Sequence, residues 1–92
     1  MSVFFLSSVR EHAGGDKSYE PDYGSDAGQI RDLNGLIDAL GRRYGEGFKD
    51  FMLGEGNCFF LVNGGGIAAT GGLNTPLSAG DKVEILPFVQ GG

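Results

Sequence analysis

Several groups of residues in this chain of 92 carry atoms or backbone freedom that chemistry could use: Cys58, His12, a set of carboxylates, and glycines at 64–66, 71–72 and the last two positions. Cys58 opens a run of bulky apolar residues, and the only histidine lies far upstream with no carboxylate placed to orient it, so a packed, inert thiol is expected. One cysteine excludes an intramolecular disulfide, and one cysteine with one histidine is too few soft ligands for a structural zinc site. His12 follows Arg10 and Glu11 and is expected at the surface. Asp16, Glu20, Asp22 and Asp26 lack the spacing of a calcium loop and read as a solvated acidic face. The internal glycines do not make a phosphate loop: Gly66-x4-Gly71 has no Lys-Ser/Thr after it, and neither cluster opens a predicted helix. Asn63-Gly64 fits a hairpin turn, where positive φ angles favour both residues.

Gly91 and Gly92 are a different case. Lacking Cβ atoms, they can thread a channel too narrow for side chains and leave a terminal carboxylate open to an enzyme. A carboxylate becomes an acyl donor only once activated, for instance by adenylation. A bare terminal Gly-Gly also fits a frayed end, so the residues before it must decide.

Those residues belong to strands. In "SVFFLSSVR" Val3, Phe5, Ser7 and Val9 share one face and Phe4, Leu6 and Ser8 the other, the period of a strand. Residues 11–16 supply a turn, and 17–23 a weaker second strand whose Pro21 suits an edge or a strand end. Residues 24–31 read as a loop. From Asp32 the period changes: Leu33, Leu36, Ile37 and Leu40 form one helical stripe, with Asp38, Arg42 and Arg43 on the wet side. Asp32 is the natural N-cap, and Gly45 stops the helix. Residues 45–56, with Phe48, Phe51, Met52 and Leu53, fit either a loop or a short broken helix folding back onto the core. Residues 58–63 form a strand, 64–66 a turn, 67–70 a short strand, 71–81 a turn-rich link and 82–89 the last strand. The order β-β-α-β-β-β predicts an α+β fold, a mixed sheet of four or five strands with one main helix on one face. Alternation turns Val3, Phe5, Phe60, Val62, Val83 and Ile85 toward the helix, and Phe4, Leu6, Phe59, Leu61, Leu86 and Phe88 away from it.

Composition bounds the partners. Residues 1–92 make one small domain, and the net charge of −5 leaves no basic face for nucleic acid. The apolar opening is too short to span a bilayer and lacks a signal peptide's positive start, so a cytoplasmic protein with no membrane contact is expected.

The chain as a whole resembles the MoaD/ThiS family of ubiquitin-like sulfur carriers, most closely its MoaD branch. "FFLSSVREHAG" is similar to that family's opening strand and turn, "DLNGLIDALGRRYG" to its capped helix, "VNG" to the end of its third strand, and "TPLSAGDKVEILPFVQGG" to its closing segment. The closing segment is the most specific, because it joins a turn, a strand and a Gly-Gly terminus in one run. The resemblance implies a β-grasp fold with residues 89–92 as a flexible tail. It implies that an adenylating partner (MoeB/ThiF-like) uses ATP to activate the Gly92 carboxylate, which then becomes a thiocarboxylate. The chain would supply no catalytic side chain and bind no cofactor or metal. As the small subunit of molybdopterin synthase it would dock on a MoaE-like large subunit, inserting Gly91 and Gly92 to deliver sulfur to the molybdopterin dithiolene.

Leu6, Leu61, Leu86 and Phe88 would form the docking patch beside Val89 and Gln90, unless residues 45–56 fold over it. Departures from the compact pattern at 24–31, at 64–72 and at Phe88 bear on the sulfur's recipient. Other readings are a protein modifier conjugated through Gly92 to lysines, with Lys17, Lys49 and Lys82 as self-conjugation sites, delivery of sulfur to thiamin, cysteine or another metabolite, and a binding module whose tail is incidental.

Overall fold

The structure, a computed structural model, describes residues 1–21, 30–54 and 56–88. The expected loop at 24–31 and the tail at 89–92, with Asp22 and Asp26, fall largely or wholly outside the described residues.

Helical periodicity and capping chemistry agree at the main helix, α2 (Leu33–Tyr44). The Asp32 carboxylate accepts the Gly35 N–H at 2.9 Å, satisfying one of the donors a helix start leaves unpaired. Leu33, Leu36, Ile37 and Leu40 are buried, each contributing about 1.5–3 kcal/mol of transfer free energy, which offsets the weak propensity of Gly35 and Gly41. Gly45 at φ 109° ends the helix, a conformation that favours glycine.

The chain does not then loop across the sheet. Residues Glu46–Leu53 form a second helix, α3, resolving the segment that the sequence left open. Phe48, Phe51 and Met52 stand at i, i+3 and i+4, so Phe48 and Met52 are buried together. The Phe48 ring packs edge-on to Phe5 at 5.7 Å and to Tyr44 at 5.7 Å, which fixes α3 on the same side of the sheet as α2.

The remaining elements are β1 (Ser2–Phe5), which stops short of the Val9 and Arg10 expected in the first strand because the chain turns at Ser7 (φ 54°), a one-turn helix α1 (Val9–His12), β2 (Ser18–Tyr19), β3 (Cys58–Val62), β4 (Gly65–Gly66) and β5 (Lys82–Pro87). They make one mixed sheet in the order β2-β1-β5-β3-β4, with β1 and β5 parallel and the other neighbours antiparallel. This is the β-grasp arrangement. Val3, Phe5, Phe60, Val83 and Ile85 point into the core beneath α2, as the alternation predicts.

Two further expectations are corrected. Residues 67–70 are not a strand: pairing with β3 is taken by Gly65–Gly66, and Ile67–Ala69 turn into a 3₁₀ helix. The final strand is shorter than 82–89 among the described residues, ending at Pro87. The hairpin expected at Asn63-Gly64 is present, with φ 52° and 84° at its two central residues.

A polar clasp holds the turn that launches β5. Asp81 accepts the Ser78 N–H at 2.8 Å and the Asn63 side-chain amide at 3.0 Å. The same Asn63 side chain accepts the Lys82 N–H at 2.9 Å. The Gly80-Asp81 pair of the closing segment therefore serves to fix where β5 begins.

Candidate functional site

Strand β5 leads directly to the last residues of the chain and lies in the middle of the sheet, between β1 and β3. Pro87 acts on its two neighbours differently. Leu6 N–H donates to Ile85 O at 3.0 Å, and the next rung of that parallel ladder would need an N–H from residue 87, which proline lacks. On the other side Phe88 N–H still donates to Asn57 O at 3.1 Å, so pairing toward β3 runs past the proline. The missing N–H of Pro87 therefore ends the ladder only on the β1 side, because its nitrogen faces away from β3.

The side chains of the opposite face assemble as the alternation predicts. Phe59 stands level with Leu86, and its ring meets Phe88 edge-on at 6.3 Å. Phe59 and Phe88 are 40% and 50% exposed, large values for phenylalanine on a folded domain. Phe4, Leu6, Leu61 and Leu86 are half-buried, and none is among the apolar side chains packed against the core. Leu6 comes level with Leu86 one step beyond the Phe5–Ile85 pair. With α3 on the α2 side, no helix of the described residues covers this face. The structure thus brings Leu6, Leu61, Leu86 and Phe88 to one surface and adds Phe59 to it. Val89, Gln90, Gly91 and Gly92 lie outside the described residues.

The sequence reading passed over one group on this face, Glu84. It sits between Phe4 on β1 and Leu61 on β3, and the alternation that selected the apolar positions selects it too.

The other candidates are placed elsewhere. Cys58 faces α3, its Sγ 3.8 Å from Met52 O, and burial pushes its thiol up to about 11. That disfavours the thiolate a nucleophile needs. His12 is exposed and its ring stacks on Phe51 at 3.9 Å. Among the described residues no group of three or more His, Cys, Asp or Glu is placed to hold a metal, and no helix is long and apolar enough to cross a membrane. A cleft of about 290 Å³ lined by Asn63, Thr70, Thr75 and Asp81 opens at the start of β5. At a rise of about 3.3 Å per residue it lies roughly 20 Å from the Phe88 end of β5. Its polar side chains bond one another, as with Thr70 and Thr75 at 3.0 Å and Asn63 with Asp81.

The sequence model of the ThiS family matches residues 3–92, nearly the full chain and including the closing Gly-Gly. The chain belongs to the ThiS family. It is a member of the ubiquitin-like sulfur-carrier group, and its structural likenesses span several branches of it. A chain of the Amycolatopsis orientalis BexX/CysO complex aligns at TM-score 0.78 and 28% identity, covering 99% of this chain and 98% of that one. CysO of Mycobacterium tuberculosis aligns at 0.75 and 27%, covering 96% and 98%. A Pyrococcus furiosus protein described as molybdopterin converting factor subunit 1 aligns at 0.66 and 26%, covering 96% and 95%. No curated protein sequence matches the chain.

Proposed function

We propose that this ThiS-family chain carries sulfur as a thiocarboxylate on Gly92. The carboxylate attacks the α-phosphate of ATP on an adenylating partner, pyrophosphate leaves, and a sulfur nucleophile at the oxidation level of sulfide displaces AMP from the acyl-adenylate. The chain itself lends position. The observation that carries the reading is the central β5, which runs beside an apolar surface of Leu6, Phe59, Leu61, Leu86 and Phe88 that no helix of the described residues covers, and which the Gly-Gly terminus follows closely in sequence. A partner seated on that surface holds the domain while Val89 to Gly92 enter its active site. Pairing toward β3 beyond Pro87 keeps Phe88 fixed, so the reach of the tail is counted from residue 89.

The acceptor we propose is the molybdopterin dithiolene, with the chain as the small subunit of the synthase docked on a MoaE-like large subunit. The closing "ILPFVQGG" and the Pyrococcus likeness support this. A second acceptor reading rests on the higher TM-scores to the two CysO structures, 0.78 and 0.75 against 0.66. It places this chain with a partner standing where BexX stands to CysO.

Intact mass of the protein isolated from its host tests the chemistry. A species heavier by the exchange of one oxygen for one sulfur, lost on deleting Gly91 and Gly92, is expected; finding only unmodified carboxylate in the presence of the adenylating enzyme, ATP and a sulfide source refutes it. Incubating the thiocarboxylate with the large subunit and the sulfur-free pterin precursor then reads the acceptor directly, since dithiolene either forms or does not.

A further inference from the structure

The open face is not uniformly apolar, and its one central exception constrains the partner. The paired registers place a single row across all five strands: Ser18 on β2, Phe4 on β1, Glu84 on β5, Leu61 on β3 and Gly66 on β4. Glu84 is the middle member, flanked on both sides by large apolar residues, and its side chain is only 22% exposed before any partner arrives. The nearest cation is Lys82, two residues earlier on the same strand. Its ammonium stands 3.8 Å from the Glu84 carboxylate and 5.5 Å from the centre of the Phe4 ring, on a side chain that is 57% exposed. That loose, shared contact is the kind of surface pair that holds a carboxylate weakly.

A partner covering Phe4, Leu61, Leu86 and Phe88 must remove water from Glu84 as well. An ionised carboxylate stripped of water without a close, well-directed donor is strongly unfavourable. The carrier's charge of −5 adds a field that draws cations to this surface. We propose that Glu84 is a specificity determinant of the docking face and that the adenylating partner presents a cationic side chain at the centre of its own apolar surface to pair with it. The proposal rests on the docking role assigned above to this face. It makes Leu6, Leu61, Leu86 and Phe88 the source of contact area and Glu84 the group that rejects partners offering only apolar area, the division of labour seen when buried charges set specificity.

The test measures binding of the purified adenylating enzyme from the same organism by calorimetry. The full chain is compared with Glu84→Gln, Glu84→Leu, Lys82→Met and Leu86→Asp, with thermal midpoints to show that each variant is folded. The expected result is a loss of affinity of tenfold or more for both Glu84 variants. Lys82→Met is expected to bind as well as the parent or better, because the carboxylate is then undivided. Affinity of the parent is expected to fall with added salt more steeply than that of Glu84→Leu. If Leu86→Asp binds like the parent, the docking reading fails and this proposal with it. If Leu86→Asp weakens binding while Glu84→Leu binds equally or more tightly, the face docks but the cation is absent, and only this proposal is overturned. If Lys82→Met weakens binding as much as Glu84→Gln, the internal pair suffices and the proposal is likewise overturned.

Discussion

Asp81→Ala isolates the part of the closing segment that is architecture rather than chemistry. The substitution deletes two hydrogen bonds, from the Ser78 N–H at 2.8 Å and from the Asn63 amide at 3.0 Å. At about 1 kcal/mol each for bonds that solvent partly replaces, the loss is about 2 kcal/mol. In a domain of this size 1 kcal/mol moves the midpoint by about 4–8 °C, so thermal unfolding followed by circular dichroism should show a fall of roughly 8–16 °C. Asn63→Gly tests the same clasp from the other side. It keeps a residue suited to φ 52° but removes the bonds to Asp81 and to the Lys82 N–H, and should cost a similar amount. Because the clasp stands at the start of β5 and the tail follows its end, adenylation of Gly92 measured well below the midpoint should be unchanged in both variants. A midpoint shift within about 2–4 °C, the scale expected of an ordinary surface substitution, would refute the assignment of this turn as the anchor of β5.

Three further outcomes are expected. Asp32→Ala removes the cap on α2 and should lower stability by about 1 kcal/mol in chemical denaturation, with Asp32→Gly costing less. The thiol of Cys58, raised by burial from its ordinary 9.0 to about 11, should resist iodoacetamide in the folded protein at neutral pH; since the folded pKa lies above the unfolded one, its contribution to stability is intact at neutral pH and fades as pH climbs from 9.0 toward 11. Adding one alanine after Gly92 should abolish thiocarboxylate formation while leaving the melting curve unaltered; retained sulfur loading without proteolytic trimming would contradict the terminal carboxylate as the site.

How far residues announced structure depended on whether one rule governed them. The stripe from Leu33 to Leu40 and its Asp32 cap speak with one voice, and they were legible. Helix α3 was harder because Gly45 interrupts the chain between two helices, although Phe48, Phe51 and Met52 already carry the helical spacing. Residues 67–70 look like strand from composition, yet a strand needs a partner, and the tight Asn63-Gly64 turn gives β3's remaining positions to Gly65–Gly66. Pro87 shows the limit of a local rule: a missing N–H matters only on the side to which it points, and that depends on the sheet order. The apolar positions of the open face were readable from alternation, whereas Glu84 gained meaning only when four registers lined it up across the sheet.

The central, parallel placement of β5 also bears on what happens when something grips the end of the chain. A pull along the C-terminal direction loads the rungs to β1 and β3 in shear, many at once, instead of peeling them one by one as it would at an edge strand. Under the proposed function, in which partner enzymes grip the tail, that tension meets the shear resistance of the central strand before the fold yields.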